Sequence, residues 1–378
     1  MVGERRRAAG ARVDRGTLVG HGAIRPYHTM KRLVILSPNW LGDAVMALPA
    51  IADVRRAAPG ASITIAARPA VAPLFDLVPE IDDAIVLSKP SAIRGIGGWR
   101  ALGADLAGGR YDTALLFPNS MHAALMVSRA GIPERWGYRA GWRGGLLTRA
   151  IRRRPGLHQV ASYQQLVHAL GFTNGPGEPR VLVPQEAIAT ATRLLMDDGW
   201  DGRAPLVALA PGAAYGGAKR WPPAYFGELA SALAADGVRC VMVGSAADAP
   251  AAADVARAFQ ARVGPAERAA PQCAPAAALH DMVGRTDLST LAGVLTLCRT
   301  LVTNDSGAMH LAAAAGVRVT AVFGPTDETA TRPRGEAHAI LTHPVWCRPC
   351  MLRECPLDHQ CMRGIGVAAV LASARRTW

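Results

Sequence analysis

The stretch Leu301–Pro325, LVTNDSGAMHLAAAAGVRVTAVFGP, decides the fold of this chain. The pattern predicts an apolar strand, a turn over Asn304–Gly307, a helix over Ala308–Ala315 and a second buried strand over Val317–Phe323. Such a unit aims free backbone N–H groups and the positive helix end at one point, which suits a phosphate. His310, on the first helical turn, can reach the same anion. The alternative is an ordinary capped helix in a parallel sheet.

Short apolar runs alternate with helical segments along most of the chain. In the first half, strands are predicted at Leu33–Ser37, Ser62–Ala67, Asp83–Leu87 and Thr113–Phe117, and helices at Asp43–Ala57, Val71–Leu77, Trp99–Leu106 and Met121–Ala130. In the second half, strands at Leu206–Ala210, Arg239–Val243, Val302–Asn304 and Val317–Phe323 alternate with helices at Tyr225–Ala235, Ala251–Phe259, Leu288–Cys298 and Ala308–Ala315. This alternation predicts an α/β protein with two Rossmann-like domains facing each other, and a ligand in the cleft between them.

The chain divides into four predicted segments. Residues 1–29 form an Arg-rich extension, either a disordered arm or a mis-called start, and both Met1 and Met30 stay open as the start of translation. Residues 30–184 are expected to form the first domain, which ends in the Gly- and Pro-rich linker Gly171–Pro184, and residues 185–345 the second. A Cys-rich segment and a C-terminal helix occupy residues 346–378.

Composition bounds the classes of function. Half of the 378 residues are hydrophobic and 19% are charged, which indicates a globular chain. No apolar run reaches the roughly 20 residues that span a bilayer, and the first 30 residues lack the apolar core of a secretory signal, so we expect a cytoplasmic protein. The net charge of +13 favours an anionic partner, either a phosphorylated substrate or an anionic membrane surface. No nucleic-acid motif is found, and no nucleic-acid partner is expected.

Four of the seven cysteines form the pattern Cys347-x2-Cys350-x4-Cys355-x5-Cys361, with His343 and His359 nearby. An odd number of cysteines in a cytoplasmic chain argues against a disulfide framework. The spacing permits a tetrahedral zinc or an iron–sulfur site. Only the first pair has the short Cys-x2-Cys spacing of zinc ribbons, so reduced, packed thiols are the favoured alternative.

Asp43 comes directly after the first predicted strand, in the string SPNWLGD of residues 37–43. The position puts a carboxylate at the carboxyl end of a strand, beside a glycine turn. Asp43 can therefore be a general base at the cleft or the N-cap of the helix that follows.

A Gly-rich loop, APGAAYGGAKRWP, follows the first strand of the second half, over Ala210–Pro222. Lys219 and Arg220 at its end are placed to neutralise a diphosphate, unless the loop is simply solvated. The spacing matches neither a P-loop nor a dinucleotide fingerprint.

Polar turns follow three further strands of the second half. Asp248 ends the turn Gly244–Asp248 and can hold a ribose hydroxyl or cap the next helix. Thr286 and Leu288 can wall a base pocket. Thr326 closes a strand at the same edge. Together these turns are typical of a nucleotide-diphosphate site.

These motifs coincide in one family. The chain resembles the ADP-heptose:lipopolysaccharide heptosyltransferases, especially those of the heptosyltransferase II type, over roughly Lys31 to Ile365. The resemblance lies in SPNWLGDAVMALPAI (Ser37–Ile51), PGAAYGGAKRWPPAYF (Pro211–Phe226), VGRTDLSTLAGVLTLCRTLVTNDSGAMHLAAAAG (Val283–Gly316) and VFGPTDETATRP (Val322–Pro333). It implies the GT-B fold, with the acceptor on the first domain and the sugar nucleotide on the second.

The resemblance also implies roles for residues. Asp43 would be the catalytic base, and Lys219 would meet the donor phosphates during catalysis. The other donor-binding positions would be Asn304, Asp305, Ser306, Gly307, His310 and Thr326, with weaker correspondence at Asp248, Thr286 and Leu288. No metal or cofactor is implied, because cationic side chains and the helix end meet the phosphate charge.

The implied reaction is an inverting transfer of L-glycero-D-manno-heptose from ADP-heptose to the heptosyl-Kdo₂-lipid A inner core of lipopolysaccharide. One alternative is a heptosyltransferase I-type enzyme with another acceptor. A second is a non-catalytic protein that binds nucleotide sugars.

Residues 135–154 concentrate seven arginines. We expect Arg139, Arg143 and Arg149 to bind the anionic acceptor, since Arg forks match phosphates and carboxylates. The aromatic residues of this segment, Trp136, Tyr138 and Trp142, can add interfacial contacts. The segment thus predicts peripheral binding to the anionic inner face of the inner membrane, with a solvated loop as the alternative.

Overall fold

The computed structural model describes residues 30–88, 102–262 and 279–376. Within these ranges the chain forms two units, each built on a six-stranded parallel sheet. The Arg-rich extension lies outside the described residues, as does the start of the predicted helix Trp99–Leu106. The helix observed in this region is Ala104–Ala107.

The first sheet has the strand order β3-β2-β1-β4-β5-β6. Its strands are β1 (Arg32–Leu36), β2 (Ser62–Ala67), β3 (Asp83–Val86), β4 (Thr113–Leu116), β5 (Glu134–Tyr138) and β6 (Arg149–Ile151). Its helices are α1 (Leu41–Ala57), α2 (Ala104–Ala107), α3 (Met121–Arg129) and α4 (Gln159–Ala169), with 3-10 turns at Ala72–Leu77 and Arg143–Leu146.

The second sheet has the order β12-β11-β10-β7-β8-β9. Its strands are β7 (Leu206–Ala210), β8 (Arg239–Met242), β9 (Leu279–Asp281), β10 (Cys298–Asn304), β11 (Arg318–Phe323) and β12 (Ala339–Thr342). Its helices are α5 (Gln185–Asp197), α6 (Pro223–Ala235), α7 (Ala249–Arg262), α8 (Leu288–Leu297), α9 (Gly307–Ala314), α10 (Glu328–Thr331), α11 (Gln360–Arg363) and α12 (Val367–Arg375), with 3-10 turns at Gly217–Lys219 and Ala246–Asp248.

The central strands are buried along nearly their whole length because helices cover both faces of each sheet. All residues of β4 and β7 are buried, and β10 is buried except for Arg299. The strand order reverses between β1 and β4 in the first sheet and between β10 and β7 in the second. Ligands of open parallel sheets bind at such switch points, beyond the carboxyl ends of the strands. The loops after β1, β7 and β10 are therefore the ones placed to form a site.

The arginine-rich residues 135–154, for which a solvated loop was the alternative, contain β6 and all of β5 except its first residue. Trp136 and Tyr138 are each 2% exposed, because they point into the core from alternate positions of β5. The expectation that these two aromatic side chains reach an interface is therefore wrong. Trp142, by contrast, is 95% exposed.

Residues 346–376, which include the predicted C-terminal helix, pack against the second unit. Cys361, Met362 and Val370 are buried in the same apolar cluster as Trp221. The indole Nε1 of Trp221 donates to the carbonyl oxygen of Ile365 at 2.8 Å. The end of the described chain thus completes the core under the second sheet.

The two units meet where α1 and α9 begin. A Cβ added to Gly42 on α1 would lie 2.8 Å from Cδ2 of His310 on α9. A Cβ added to Gly307 would lie 3.0 Å from Cβ of Leu41. The first turns of these helices, which follow β1 and β10, are consequently in direct contact. No helix in the described part of the chain combines the length and the apolar character needed to cross a membrane.

Candidate active site

Asp43 lies on the first turn of α1, at the junction of the two units. The N-cap of α1 is Trp40, and no side chain caps this helix end, so the N-cap interpretation of Asp43 is wrong. Burial raises the pKa of Asp43, and the charge of Asp305 adds to this effect, while Lys219 and Arg153 partly offset it. A carboxylate with a raised pKa, facing a cation of the other unit, has the properties of a general base.

Lys219 and Asp305 form an ion pair in the second unit. Lys219 Nζ lies 2.5 Å from Oδ2 of Asp305, and the hydroxyl of Thr326 donates to the same oxygen at 2.8 Å. The ammonium also lies 4.6 Å from the ring centroid of Tyr215. Because the loops after β7, β10 and β11 supply these groups, the structure brings together three of the predicted positions at one sheet edge.

Asn304 holds the Gly-rich loop in place. Its Oδ1 accepts a hydrogen bond from the backbone N–H of Trp221 at 2.9 Å. Its Nδ2 donates to the carbonyl oxygens of Pro211 and Gly212 at 2.9 and 3.1 Å. The side chain is fully buried, and both of its ends are engaged. Asn304 therefore positions the loop, and its part in donor binding stays a prediction.

The start of α9 presents Ser306, Gly307 and His310. Ser306 is the N-cap, and its Oγ lies 3.0 Å from Oγ1 of Thr303. Burial lowers the pKa of His310 to about 4, against the opposing effect of Asp305. The imidazole is thus neutral near pH 7. It can form a hydrogen bond without adding charge, whereas Lys219 and the N-terminus of α9 supply positive potential.

Asp248, Thr286 and Leu288 follow the outer strands β8 and β9. Asp248 Oδ2 accepts hydrogen bonds from the backbone N–H and hydroxyl of Ser245, at 3.0 and 2.8 Å. A Cβ on Gly212 would lie 2.1 Å from Oδ1 of Asp248, so this carboxylate rests against the Gly-rich loop. Asp248 is thus a turn cap that also borders the loop.

Thr286 and Leu288 flank Asp287, the N-cap of α8, whose Oδ1 accepts from Thr290 N–H at 2.7 Å. Both are half-buried. A Cβ on Gly284 would lie 3.0 Å from Cα of Ala246, so the loops after β8 and β9 touch. The polar turns after β7, β8 and β9 are thus in contact along one edge of the sheet, where ligands of open parallel sheets bind.

Comparison with known proteins decides the family. The family model of "Glycosyltransferase family 9 (heptosyltransferase)" matches residues 99–360, more than half of the chain. The chain belongs to this family.

Relatives of the chain are named as heptosyltransferases as well. The chain is 31% identical to lipopolysaccharide heptosyltransferase 2 of Salmonella typhimurium over 316 residues, covering 82% of this chain and 87% of the relative. It is 30% identical to lipopolysaccharide heptosyltransferase 2 of Escherichia coli, with the same coverage. The solved structure of E. coli ADP-heptose lps heptosyltransferase II superimposes with a TM-score of 0.76 at 29% identity, covering 92% of this chain and 98% of that one. The protein is a glycosyltransferase with the GT-B fold.

The three arginines predicted to bind the acceptor of this glycosyltransferase differ in accessibility. Arg143 is fully buried, and its Nε donates to the carbonyl oxygen of Tyr138 at 3.0 Å while Nη2 reaches Oδ1 of Asn119 at 3.1 Å. Burial lowers its pKa to about 10. Arg143 is thus a clamp between the loops after β4 and β5, and its predicted acceptor role is a misassignment. The guanidinium of Arg149 lies 4.7 Å from the ring centroid of Trp136, whereas Arg139 is exposed.

Arg153 and Tyr163 interact electrostatically with Asp43, and neither was predicted as a site residue. The charge of Arg153 lowers the pKa of Asp43, and its Nε lies 3.3 Å from the hydroxyl of Ser162. Tyr163 is buried on α4, and burial raises its pKa, as does the charge of Asp43. Arg153 is one of seven arginines in residues 135–154, and only the folded chain shows that its charge acts on Asp43.

The Cys-rich segment of the glycosyltransferase carries free thiols. Cys361 is buried, while Cys347, Cys350 and Cys355 are partly exposed. Burial raises the pKa of Cys361, and the charges of the other three thiols act in the same direction, so the four are neighbours. Among the described residues, no group of three or more His, Cys, Asp or Glu side chains is arranged to hold a metal ion.

Proposed function

We propose that the protein transfers L-glycero-D-manno-heptose from ADP-heptose to the heptosyl-Kdo₂-lipid A inner core of lipopolysaccharide. The observation that carries this proposal is the placement of Asp43 opposite the Lys219–Asp305 pair. A carboxylate from one unit faces a phosphate-binding cation from the other, as a displacement between two bound substrates requires. The names of the relatives as heptosyltransferases of type 2 support the choice of donor and acceptor.

In this reaction Asp43 takes the proton of an acceptor hydroxyl as that oxygen attacks C1 of the heptose. The bond between C1 and the diphosphate oxygen breaks, and ADP leaves with the bonding electron pair. Attack from the face opposite the leaving group inverts the anomeric centre. Burial raises the pKa of Asp43, which makes the carboxylate a stronger base than an exposed one.

The second unit stabilises the leaving group. Lys219 is held by Asp305 and faces the same point as the N-terminus of α9. An ammonium and free backbone N–H groups, fixed before the reaction starts, stabilise the negative charge that develops on the diphosphate. Neutral His310 adds a hydrogen bond without a second charge. Lys219, the N-terminus of α9 and His310 together stabilise the charge of the diphosphate with groups of the protein itself.

We propose further that the first unit docks on the cytoplasmic face of the inner membrane. Trp40, Met121 and Trp142 are 52%, 41% and 95% exposed, and they follow β1, β4 and β5, which are neighbours in the sheet. The carboxyl ends of these strands lie at one edge, so the three side chains share the rim that carries Asp43. Exposed Arg139 and Arg153 add positive charge there. Apolar anchors among cations are typical of peripheral binding to anionic lipid.

Mass spectrometry of the acceptor after incubation with ADP-heptose tests the function. With heptosyl-Kdo₂-lipid A we expect the mass of one added heptose. Addition to Kdo₂-lipid A instead would identify the type I alternative. Binding of ADP-heptose without transfer to either acceptor would identify a non-catalytic protein that binds nucleotide sugars.

A further inference from the structure

The Cys-rich segment packs on the loop that carries Lys219. The hydroxyl of Tyr215 donates to the carbonyl oxygen of Met351 at 2.8 Å. The backbone N–H of Gly217 donates to Oε1 of Glu354 at 3.0 Å, and that of Ala218 donates to the carbonyl oxygen of Arg353 at 2.9 Å. Three hydrogen bonds thus fix the four residues that precede Lys219.

The same segment reaches the loop after β11. The N–H of Met351 donates to the carbonyl oxygen of Pro325 at 2.9 Å, and Nε of Arg348 donates to that of Gly324 at 2.8 Å. The next residue, Thr326, donates to Asp305. The segment therefore bridges the two loops that flank the Lys219–Asp305 pair.

Close packing at Gly216 shows how tightly the segment and the loop fit. A Cβ at Gly216 would lie 2.3 Å from the carbonyl oxygen of Arg353. The guanidinium of Arg353 also lies 5.2 Å from the ring centroid of Tyr215, the ring over which Lys219 Nζ lies at 4.6 Å. Two adjacent glycines make the loop flexible by itself, because glycine has more backbone freedom to lose than any other residue. External contacts must supply the order that Lys219 needs.

We propose that Met351–Glu354 is a positioning element of the donor site, and that Glu354 is the side chain through which it sets the affinity for a nucleoside diphosphate. Glu354 fixes the amide of Gly217, two residues before Lys219. A loop ordered before the ligand arrives loses less conformational entropy on binding. This inference rests on the proposed function, because it takes the diphosphate as the ligand of Lys219.

The test compares ADP affinity, measured by calorimetry, in three variants. Glu354→Ala removes the acceptor of the Gly217 N–H, and we expect ADP to bind about tenfold more weakly. Glu354→Gln keeps an acceptor oxygen, and it should restore most of the affinity. Asp358→Ala is the matched control, because Asp358 lies in the same segment but pairs with Arg363. It should leave the affinity unchanged.

A double-mutant cycle with Lys219→Ala separates positioning from general loosening. In the Lys219→Ala background, Glu354→Ala should have almost no further effect on ADP binding, because the group it positions is gone. The donor KM should rise in Glu354→Ala with less change in kcat. An unchanged ADP affinity in Glu354→Ala, or the same loss in both backgrounds, would overturn the proposal. If the positioning proposal is overturned while the wild-type protein still transfers heptose, the proposed function stands. If the wild-type protein does not bind ADP at all, the proposed function itself is wrong.

Discussion

Gly42 and His310 touch across the junction between the two units, where a Cβ on Gly42 would lie 2.8 Å from the imidazole. Gly42 lies inside α1, where alanine is a better helix former by about 1 kcal/mol. The absence of a side chain at this position therefore costs stability, and its benefit is the close approach of the two helices. Asp43 is the next residue, so the approach sets the distance between the base and the donor loops.

Gly42→Ala is expected to separate activity from stability. The added methyl group must displace His310 or open the junction, and a misplacement of about 1 Å can cost on the order of 100-fold in rate. The melting temperature should change little, because the gain in helix propensity of about 1 kcal/mol is offset by the cost of the displaced imidazole. Kinetics and thermal unfolding on the same preparation check this. Equal kcat/KM in variant and wild type would show that the contact does not set the reactive geometry.

Asp43→Asn should abolish turnover while ADP binding survives. The amide cannot accept the hydroxyl proton, and loss of a general base typically costs about 10²–10⁴-fold in rate. Asp83→Asn on the exposed edge strand β3 serves as the control. Turnover near the wild-type rate in Asp43→Asn would leave Asp43 without a catalytic role.

The same substitution should raise the melting temperature at neutral pH. Burial raises the pKa of Asp43, so the folded state binds the proton more tightly than the unfolded state. Stability is then lost as pH rises from the ordinary carboxyl pKa to the raised one, and the cost stays constant above it. The difference between Asn and Asp should be largest at neutral pH and shrink below the ordinary value. The pH dependence of kcat/KM should report the same raised pKa, with activity falling as pH drops through it. A pH-independent difference in melting temperature would exclude this linkage.

Lys219→Ala should weaken ADP binding and lower kcat/KM. A charge-assisted contact with the diphosphate is worth roughly 1.5–3 kcal/mol. Asp305 loses its partner as well, so the free protein should also be less stable. Lys31→Ala, at an exposed position before β1, is the control. The assignment fails if ADP affinity and kinetics both match the wild type.

Two exposed tryptophans offer a matched test of membrane binding. Trp142→Ser on the first unit should weaken binding to vesicles that contain phosphatidylglycerol, whereas Trp346→Ser, on the second unit and 84% exposed, should not. Arg139→Gln should weaken vesicle binding about fivefold, since each basic residue near an anionic surface contributes about 1 kcal/mol. If Trp142→Ser and Arg139→Gln bind these vesicles as tightly as the control Trp346→Ser, at both low and high salt, docking through this rim is refuted.

Arg143→Gln should behave differently from Arg139→Gln. Arg143 is buried against backbone carbonyls, so its loss should lower the melting temperature, and the acceptor KM of the folded protein should change little. Unfolding curves and acceptor titrations of the two variants distinguish a structural clamp from a surface cation.

Strands with a buried apolar run were predictable from the sequence, and β2 and β7 have the predicted bounds. The missed strands β5, β6, β9 and β12 are short or carry charged residues. In β5 the apolar residues Trp136 and Tyr138 alternate with Arg135 and Gly137. This run is short, and only its pairing with β4 in the folded chain identifies it as a strand. A strand whose partner decides its state cannot be recognised from its own residues.

The site was predictable at the level of loops and less so at the level of side chains. Lys219 and Asp305 were placed at the sheet edge by the strands that precede them, and they meet there. Asn304 belongs to the same motif, yet its amide holds the Gly-rich loop. Donor binding and loop support both require a polar residue at this position, so the sequence alone does not distinguish them. Glu354 lies 135 residues after Lys219 in the chain, so only the folded contact reveals it.

The apolar cluster shared by Trp221 and Val370 has a consequence for synthesis on the ribosome. Domains generally fold as units, the N-terminal one first, while the chain is still being made. The first unit has all of its strands and the helix that packs on α1 once α4 has emerged, and it can close early. The second unit lacks part of its core until α12 leaves the exit tunnel, so its β-strands must wait, partly uncovered, while most of its sequence is already outside.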